Sequence, residues 1–252
     1  MIDLKKEKEF LDSLVIDYKD QTPYSAAKKD VINSIIDNVT TNTKSKKALQ
    51  LGCSGGYETD YLSSKFKQLD VIDGSSTFIE RMKKDNKKKN IRFVYSLFEE
   101  YEIVEDEYDY IFCNYILEHV LEPRVVLKRF YTALKQGGLF IATVPNSNAF
   151  SRKLAKEMGL INDLKALTEN DLRHGHRRVY DHKNIVKDFE KSGYGIVKTI
   201  GIVFKILADF QLNELMKQGI ITTAHIFGLQ RMAESNDENK NLSDSLLIIA
   251  RK

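Results

Sequence analysis

The chain has 252 residues, 42% of them hydrophobic, which is enough for a core of its own and too apolar for a disordered polymer. With 39 Lys and Arg against 36 Asp and Glu, the net charge of +3 does not by itself mark a nucleic-acid binder. No apolar stretch approaches the length of a bilayer span, and the charged segment Met1 to Phe10 carries no signal-peptide core.

Thr22-Pro23 reads as a helix start, a capping hydroxyl followed by proline at the first helical position. Ala27, Val31, Ile32, Ile35, Ile36 and Val39 then fall on one helical face, and polar residues Thr40 to Ser45 lead out of it. Strands are predicted at about 47–51, 69–73, 91–95, 109–114 and 138–144, alternating with helices. Such alternation implies an α/β fold, a parallel sheet covered on both faces with right-handed crossovers. The basic run Lys83 to Lys89 reads as a solvated helix end and loop. After Glu122-Pro123 a helix buries Val126, Leu127, Phe130, Tyr131 and Leu134, and is expected to stop on a left-handed cap at Gly137-Gly138. Beyond Asn146 the pattern changes to a helical insertion over 147–180, with Phe150, Leu154 and Met158 on one face. Asp181 to Ser192 is a further helix, ending at Gly193-Tyr194. Gly195 to Phe204 and Asp244 to Ala250 are the last two strands, separated by a helical stretch at 205–232 and a polar loop at 234–243. Cys53 and Cys113 fall in or beside buried strands, which implies reduced thiols and a cytoplasmic protein. There are no repeats and no zinc-like Cys/His spacing.

Chemistry concentrates in Ala48-Leu49-Gln50-Leu51-Gly52-Cys53-Ser54-Gly55-Gly56, a strand running into a turn of small residues where backbone can approach a ligand closely. The next strand ends in Asp73, 21 residues after Gly52, where a carboxylate can accept both ribose hydroxyl hydrogens. An adenosine-bearing cofactor follows. A nicotinamide or flavin site would want G-x-G-x-x-G, and the third glycine is missing. The block instead resembles motif I, (D/E)-x-G-x-G-x-G, of class I S-adenosylmethionine (SAM)-dependent methyltransferases. Asp109-Tyr110-Ile111-Phe112 resembles that family's fourth strand, and Leu117-Glu118-His119-Val120 its "LEHV" segment. Leu134-Lys135-Gln136-Gly137-Gly138-Leu139 resembles its "LKPGG" turn, and Val144-Pro145-Asn146 its "VPN" strand end. These matches, in family order, cover about residues 46–146.

The resemblance implies a doubly wound, seven-stranded, mostly parallel Rossmann-like sheet with the last strand antiparallel. It also implies N-terminal lid helices over 1–45 and a catalytic domain over 46–252, with acceptor caps at about 147–180 and 205–243. SAM would be the cofactor and S-adenosylhomocysteine (SAH) the product. Gln50, Gly52, Cys53, Ser54, Gly56, Asp73, Gly74, Leu97, Phe98 and Asn114 would hold it. Three positions depart from the pattern: Gln50 for the motif I acid, Ser54 for the middle glycine, and Leu97-Phe98 where many relatives carry an acid for the adenine amino group.

His119, just after the fourth strand, should face the transferring methyl group, either as base for a hydroxyl or as a hydrogen-bonding group for an anionic acceptor. The run Arg173-His174-Gly175-His176-Arg177-Arg178-Val179-Tyr180 resembles the "GHRRVY" stretch of small-molecule methyltransferases, including those of surface-polysaccharide and natural-product pathways. Its arginine forks suit an anion, and the alternative is a basic loop paired with Glu169 and Asp171. His176, Arg177 and Tyr180 are the expected acceptor contacts, with Arg178 directed away. Tyr24 and Tyr18 belong to the lid segment as further contacts, and Phe150 and Arg152 could line the cap. The leading reading is O-methylation of a small anionic metabolite carrying phosphate, phosphonate or a nucleotide. A neutral sugar or quinone hydroxyl, or an amine, with His119 as base is the alternative. A nucleic-acid methyltransferase lacks its usual marks here, the turn after the fourth strand being Cys113-Asn114-Tyr115-Ile116. A non-catalytic SAM-binding subunit is motivated only by Gln50 and Ser54. No metal is expected, since no carboxylate cluster stands out beside His119, and no oligomer is assigned.

Overall fold

The computed structural model describes residues 4–14 and 22–252, so Tyr18 lies outside the described residues. A short helix, α1 (Leu4–Leu14), precedes α2 (Pro23–Val39). At the start of α2 the Thr22 hydroxyl accepts from the Ser25 amide and the Ser25 hydroxyl accepts from that of Thr22, with Pro23 as first helical residue. The chain then alternates: β1 (Lys47–Leu51), α3 (Tyr57–Lys65), β2 (Gln68–Asp73), α4 (Ser76–Asp85), β3 (Ile91–Tyr95), β4 (Tyr108–Asn114), α5 (Pro123–Ala133) and β5 (Leu134–Pro145). Then come α6 (Phe150–Glu157), α7 (Glu169–Arg173), α8 (His182–Lys191), β6 (Gly195–Ile202), α9 (Asp209–Lys217), α10 (Thr223–Glu234), α11 (Asp237–Leu242) and β7 (Ser245–Arg251).

The seven strands make one sheet in the order β3-β2-β1-β4-β5-β7-β6. The β1 to β5 pairings are parallel, and β7 runs antiparallel to both β5 and β6, as the doubly wound reading requires. Strands buried on both faces read as continuous apolar runs, and β7, with Leu246 to Ala250 all buried, is the clearest. One face is covered by α2, α3, α4, α9 and α10, around Ile36, Leu62, Phe66 and Phe112. The other is covered by α5 and α8, where Phe130, Phe140, Phe189 and Tyr194 pack. The Phe140, Phe189 and Tyr194 rings lie 5.3–5.5 Å apart in edge-on contacts.

Four local expectations need correction. Helix α5 ends at Ala133, because Leu134 is already extended and pairs with Tyr108. Gly137 does take a left-handed φ of 78°, but in the irregular start of β5 and not as a helix cap. The stretch 234–243 is not a loop, since the Asn236 side chain accepts from the Asn239 amide at 2.8 Å and starts α11. Helix α2 is more than a lid segment: Tyr24, Ala27, Val31, Ile32, Ile35 and Ile36 are buried in the core, while Ser25, Lys28 and Lys29 line the cavity at the carboxyl ends of the strands together with α1. Among the described residues no helix is long and apolar enough to cross a membrane.

At the opposite end of the sheet, Asp70 is fully buried in β2. Its carboxylate accepts from Arg92 and the Tyr108 hydroxyl at 2.7 Å each and pairs with Lys47 at 3.0 Å. Burial alone would raise its pKa, and these hydrogen bonds hold it below the usual carboxylate range. That stabilisation is present above the unfolded pKa and lost as pH falls through the folded one. Asp70→Asn is therefore expected to cost about 2–3 kcal/mol at neutral pH in urea unfolding, with the gap to wild type closing below about pH 4.

Candidate active site

The turn after β1 is shaped by conformations that few residues accept. Gly52 has φ 78°, donates its amide to Ile72 at 2.7 Å, and leaves no room for a Cβ, which would overlap the Ile116 side chain. Ser54 also takes a positive φ, 42°, a position at which a residue with a Cβ is strained by about 1 kcal/mol and glycine is not. The turn is tied to β2 through Asp73, whose carboxylate accepts from the Cys53 amide at 2.8 Å and the Ser75 amide at 2.8 Å. Burial pushes the Asp73 carboxyl up from its ordinary value. A cavity of about 700 Å³ opens over these strand ends, and every residue assigned to the cofactor from the sequence lines it.

Sequence reasoning missed the acid that stands beside Gln50. Gln50 is buried; its amide oxygen accepts from Thr59 at 2.8 Å and its amide nitrogen donates to Glu58 at 3.2 Å. Asn114 donates to the other Glu58 oxygen and accepts from Thr143 at 2.7 Å. A carboxylate from the first turn of α3 thus stands beside Gln50, held by Gln50 and Asn114, and it lines the cavity. Burial pushes Glu58 up to about 7. Glu99, next to Phe98, also lines the cavity, so an acid stands close to the position where Leu97-Phe98 lacks one.

Helix α1 closes the cavity from above, contributing Glu7, Leu11 and Leu14 to its wall. Asp12 anchors it to the start of α4, accepting from the Ser75 hydroxyl at 2.6 Å, the Ser76 hydroxyl at 2.9 Å and the Thr77 amide at 3.2 Å. Gly74 allows the approach, since a Cβ there would meet Leu11 Cδ1 at 2.5 Å.

At the far end, β4 leaves the sheet through Tyr115, with φ 56°, into the turn that carries Glu118 and His119. The 173–180 segment fastens this turn. Arg177 donates its amide to the Glu118 carbonyl at 2.8 Å and Nε to the His119 carbonyl at 2.6 Å. Arg178 donates to the carbonyls of Leu117 at 2.8 Å, Leu121 at 2.9 Å and Val120. The arginines are therefore clamps and do not form the expected anion site. The Arg177 guanidinium pairs with Glu7 of α1 at 2.9 Å and lies 5.0 Å from the Phe10 ring centre. Of the four expected acceptor contacts, His176 lines the cavity. Tyr24, Arg177 and Tyr180 do not; the two tyrosines are core residues, buried by helix packing and by the bridge of Tyr180 to Asn146. Arg152 is spent on Asp171 and the carbonyls of Leu164 and Ala166, and the Phe150 ring meets that of Phe204 in a tilted contact at 5.9 Å, both away from the cavity.

His119 and His176 meet edge to face with ring centres 4.8 Å apart. Burial and the neighbouring His176 push His119 down to about 3, so it stays neutral at physiological pH. A ring that weakly basic has little drive to remove a hydroxyl proton, and the expected role as base gives way to that of a neutral hydrogen-bonding or coordinating group. Glu118 is fully buried beside them, its carboxyl pushed up to about 8 by burial. Folding thus assembles next to His119 a group of side chains that the sequence order did not announce.

The family described as "Methyltransferase domain" matches residues 24–199, more than half of the chain. A ubiquinone biosynthesis O-methyltransferase of Idiomarina loihiensis is 22% identical over 188 residues, covering 71% of this chain and 74% of that protein. A carboxy-S-adenosyl-L-methionine synthase of Campylobacter curvus is 26% identical over 144 residues, covering 55% of this chain and 62% of that protein. Among solved structures, the N-methyltransferase NodS of Bradyrhizobium japonicum WM9 in complex with SAH superposes with a TM-score of 0.60 at 13% identity, covering 100% of this chain and 99% of NodS.

SAH affinity is expected to weaken as pH falls through about 7, because the Glu58 carboxylate in the cavity wall then protonates. Glu58→Gln is expected to bind SAH about tenfold more weakly at pH 8 and to lose that pH dependence, both read by calorimetry.

Proposed function

The chain belongs to the class I SAM-dependent methyltransferases, and on that premise we propose that it methylates an oxygen atom of a small molecule seated between His119 and the inner face of α1. The observation that carries this reading is the continuity of one cavity from the β1 turn and Asp73 to His119 and His176. The sulfonium methyl of SAM is already electrophilic, so the chain's main task is to hold acceptor oxygen, methyl carbon and sulfur in line. The oxygen–carbon bond forms as the carbon–sulfur bond breaks, and the electron pair passes to sulfur, leaving SAH. Ring nitrogens of His119 and His176 orient the acceptor hydroxyl, and α1 excludes water.

Leu14, Ile116 and Val120 line the cavity with the two histidines, which supports a hydroxyl on a predominantly apolar acceptor. Similarity to a ubiquinone biosynthesis O-methyltransferase agrees with oxygen as the methylated atom. A second reading keeps the anionic acceptor, a phosphate, phosphonate or nucleotide-linked intermediate of surface-glycan or natural-product biosynthesis. Lys28 and Lys29, which line the same cavity, favour it in place of the arginines.

Methyl transfer from isotope-labelled SAM into hydroxylated small molecules, read by mass spectrometry, tests the proposal. His119→Ala is expected to lower kcat/KM about 100-fold with SAH affinity unchanged. Arg177→Ala, which frees α1, is expected to raise KM for SAM and acceptor together. Label found only on nitrogen, or full activity in His119→Ala, would overturn the reading.

A further inference from the structure

We propose that Glu118, His119 and His176 form a binding site for one first-row divalent metal ion, which holds the acceptor oxygen during methyl transfer. The inference deepens the function proposed above and rests on the same acceptor end of the cavity. One ligand atom from each of the three residues lies within 4.8 Å of the others, and all three residues line the cavity.

The state of Glu118 is the strongest argument. Its side chain is fully buried, and neither carboxylate oxygen has a hydrogen-bond partner; only its own backbone amide is close by. Lys28 and Arg178 act on it electrostatically, but neither donates to it. A carboxylate in that condition is rare in a folded protein unless a cation completes it.

His176 is oriented as a ligand is. The His176 Nδ1 faces Asp171 Oδ1 at 3.0 Å, which leaves Nε2 for the cluster. Asp171 is itself held by the Thr168 amide at 2.9 Å, the Thr168 hydroxyl at 2.8 Å and Arg152 at 3.3 Å. The Gly175 backbone lies close to the His119 ring. A carboxylate or a carbonyl behind a histidine is the usual outer partner of a metal-bound imidazole. The arginine clamps explain how residues so far apart in sequence meet, since Arg177 joins its backbone to Glu118 and Gly175 and His176 directly precede it.

Two imidazole nitrogens and one carboxylate suit zinc, manganese or ferrous iron better than magnesium or calcium, which prefer oxygen ligands. Three protein ligands leave coordination positions open toward the cavity. An acceptor hydroxyl bound there loses its proton to solvent water, because the ion stabilises the resulting oxyanion. That oxygen then takes the methyl carbon as the carbon–sulfur electron pair moves to SAH.

The test uses the full chain, stripped with chelator and dialysed, and titrated with Mn²⁺ by electron paramagnetic resonance and Zn²⁺ by calorimetry. One ion per chain and a metal-dependent rise in Tm are expected. Glu118→Gln and His176→Gln are each expected to weaken binding about 100-fold or more, and Asp171→Asn about tenfold, with SAH affinity kept in all three as proof of folding. Wild-type binding no tighter than about millimolar, or unchanged binding in Glu118→Gln, would overturn the site. Methyl transfer to a hydroxyl acceptor at full rate in excess chelator would overturn the metal's role and leave the proposed function standing. An ion bound as described, with no hydroxyl acceptor methylated, would support the site and remove the function.

Discussion

A parallel sheet wound outward in both directions from its middle must open a crevice where the winding reverses. In this chain the reversal falls between β1 and β4. The helices that follow β1 and β2 pack on one face and α5, which follows β4, packs on the other, so none of these crossover helices covers the strand ends where they part. The small-residue turn after β1 and the Glu118-His119 turn after β4 form the two lips of that opening. Every feature of the site is a way of furnishing this gap with polar groups or of closing it.

Two sets of ties make the furnishing stiff. Thr59, Gln50, Glu58, Asn114 and Thr143 form a chain of hydrogen bonds across β1, β4 and β5, and each polar group in it has a partner. Arg177 and Arg178 spend their donors on carbonyls of the β4 turn, a turn whose backbone would otherwise carry unpaired acceptors. Low-dielectric surroundings make such ties strong when complete and expensive when broken. The result is a stiff frame on which α1 is held by side-chain ties through Asp12 and Glu7.

Most of the fold was legible because the strands bury both faces, and a continuous apolar run needs no partner to be recognised. The predicted β1 and β3 agree with the structure at both ends, and the observed β2 and β4 begin one residue before their predicted starts. The cofactor end was legible for a related reason: glycines and Asp73 act where they stand, through backbone shape and a strand terminus. Glu58 was not legible, because its role depends on α3 swinging its first turn over Gln50, eight residues away in sequence and in direct contact in space. Arg177 shows the same limit more sharply. Its charge is plain in the sequence, but its partner, Glu7, is 170 residues distant, and nothing local distinguishes a clamp from an anion receptor. Glu118 was read as part of a familiar tetrapeptide, and its isolation became visible only once folding had removed water from around it.

The place of β7 bears on the order in which the sheet can be made. It fills the slot between β5 and β6, pairing with both over nearly its whole length. Of the seven strands it is the last in chain order, so during synthesis β5 presents an open edge and β6 has no neighbour to join until β7 emerges. The first five strands can assemble while the ribosome is still working, whereas β6 must wait, held only by the helices that flank it. A nascent chain stalled before Ser245 would expose the apolar edge of β5 to other chains, which makes the final strand the guard against aggregation as well as the last piece of the core.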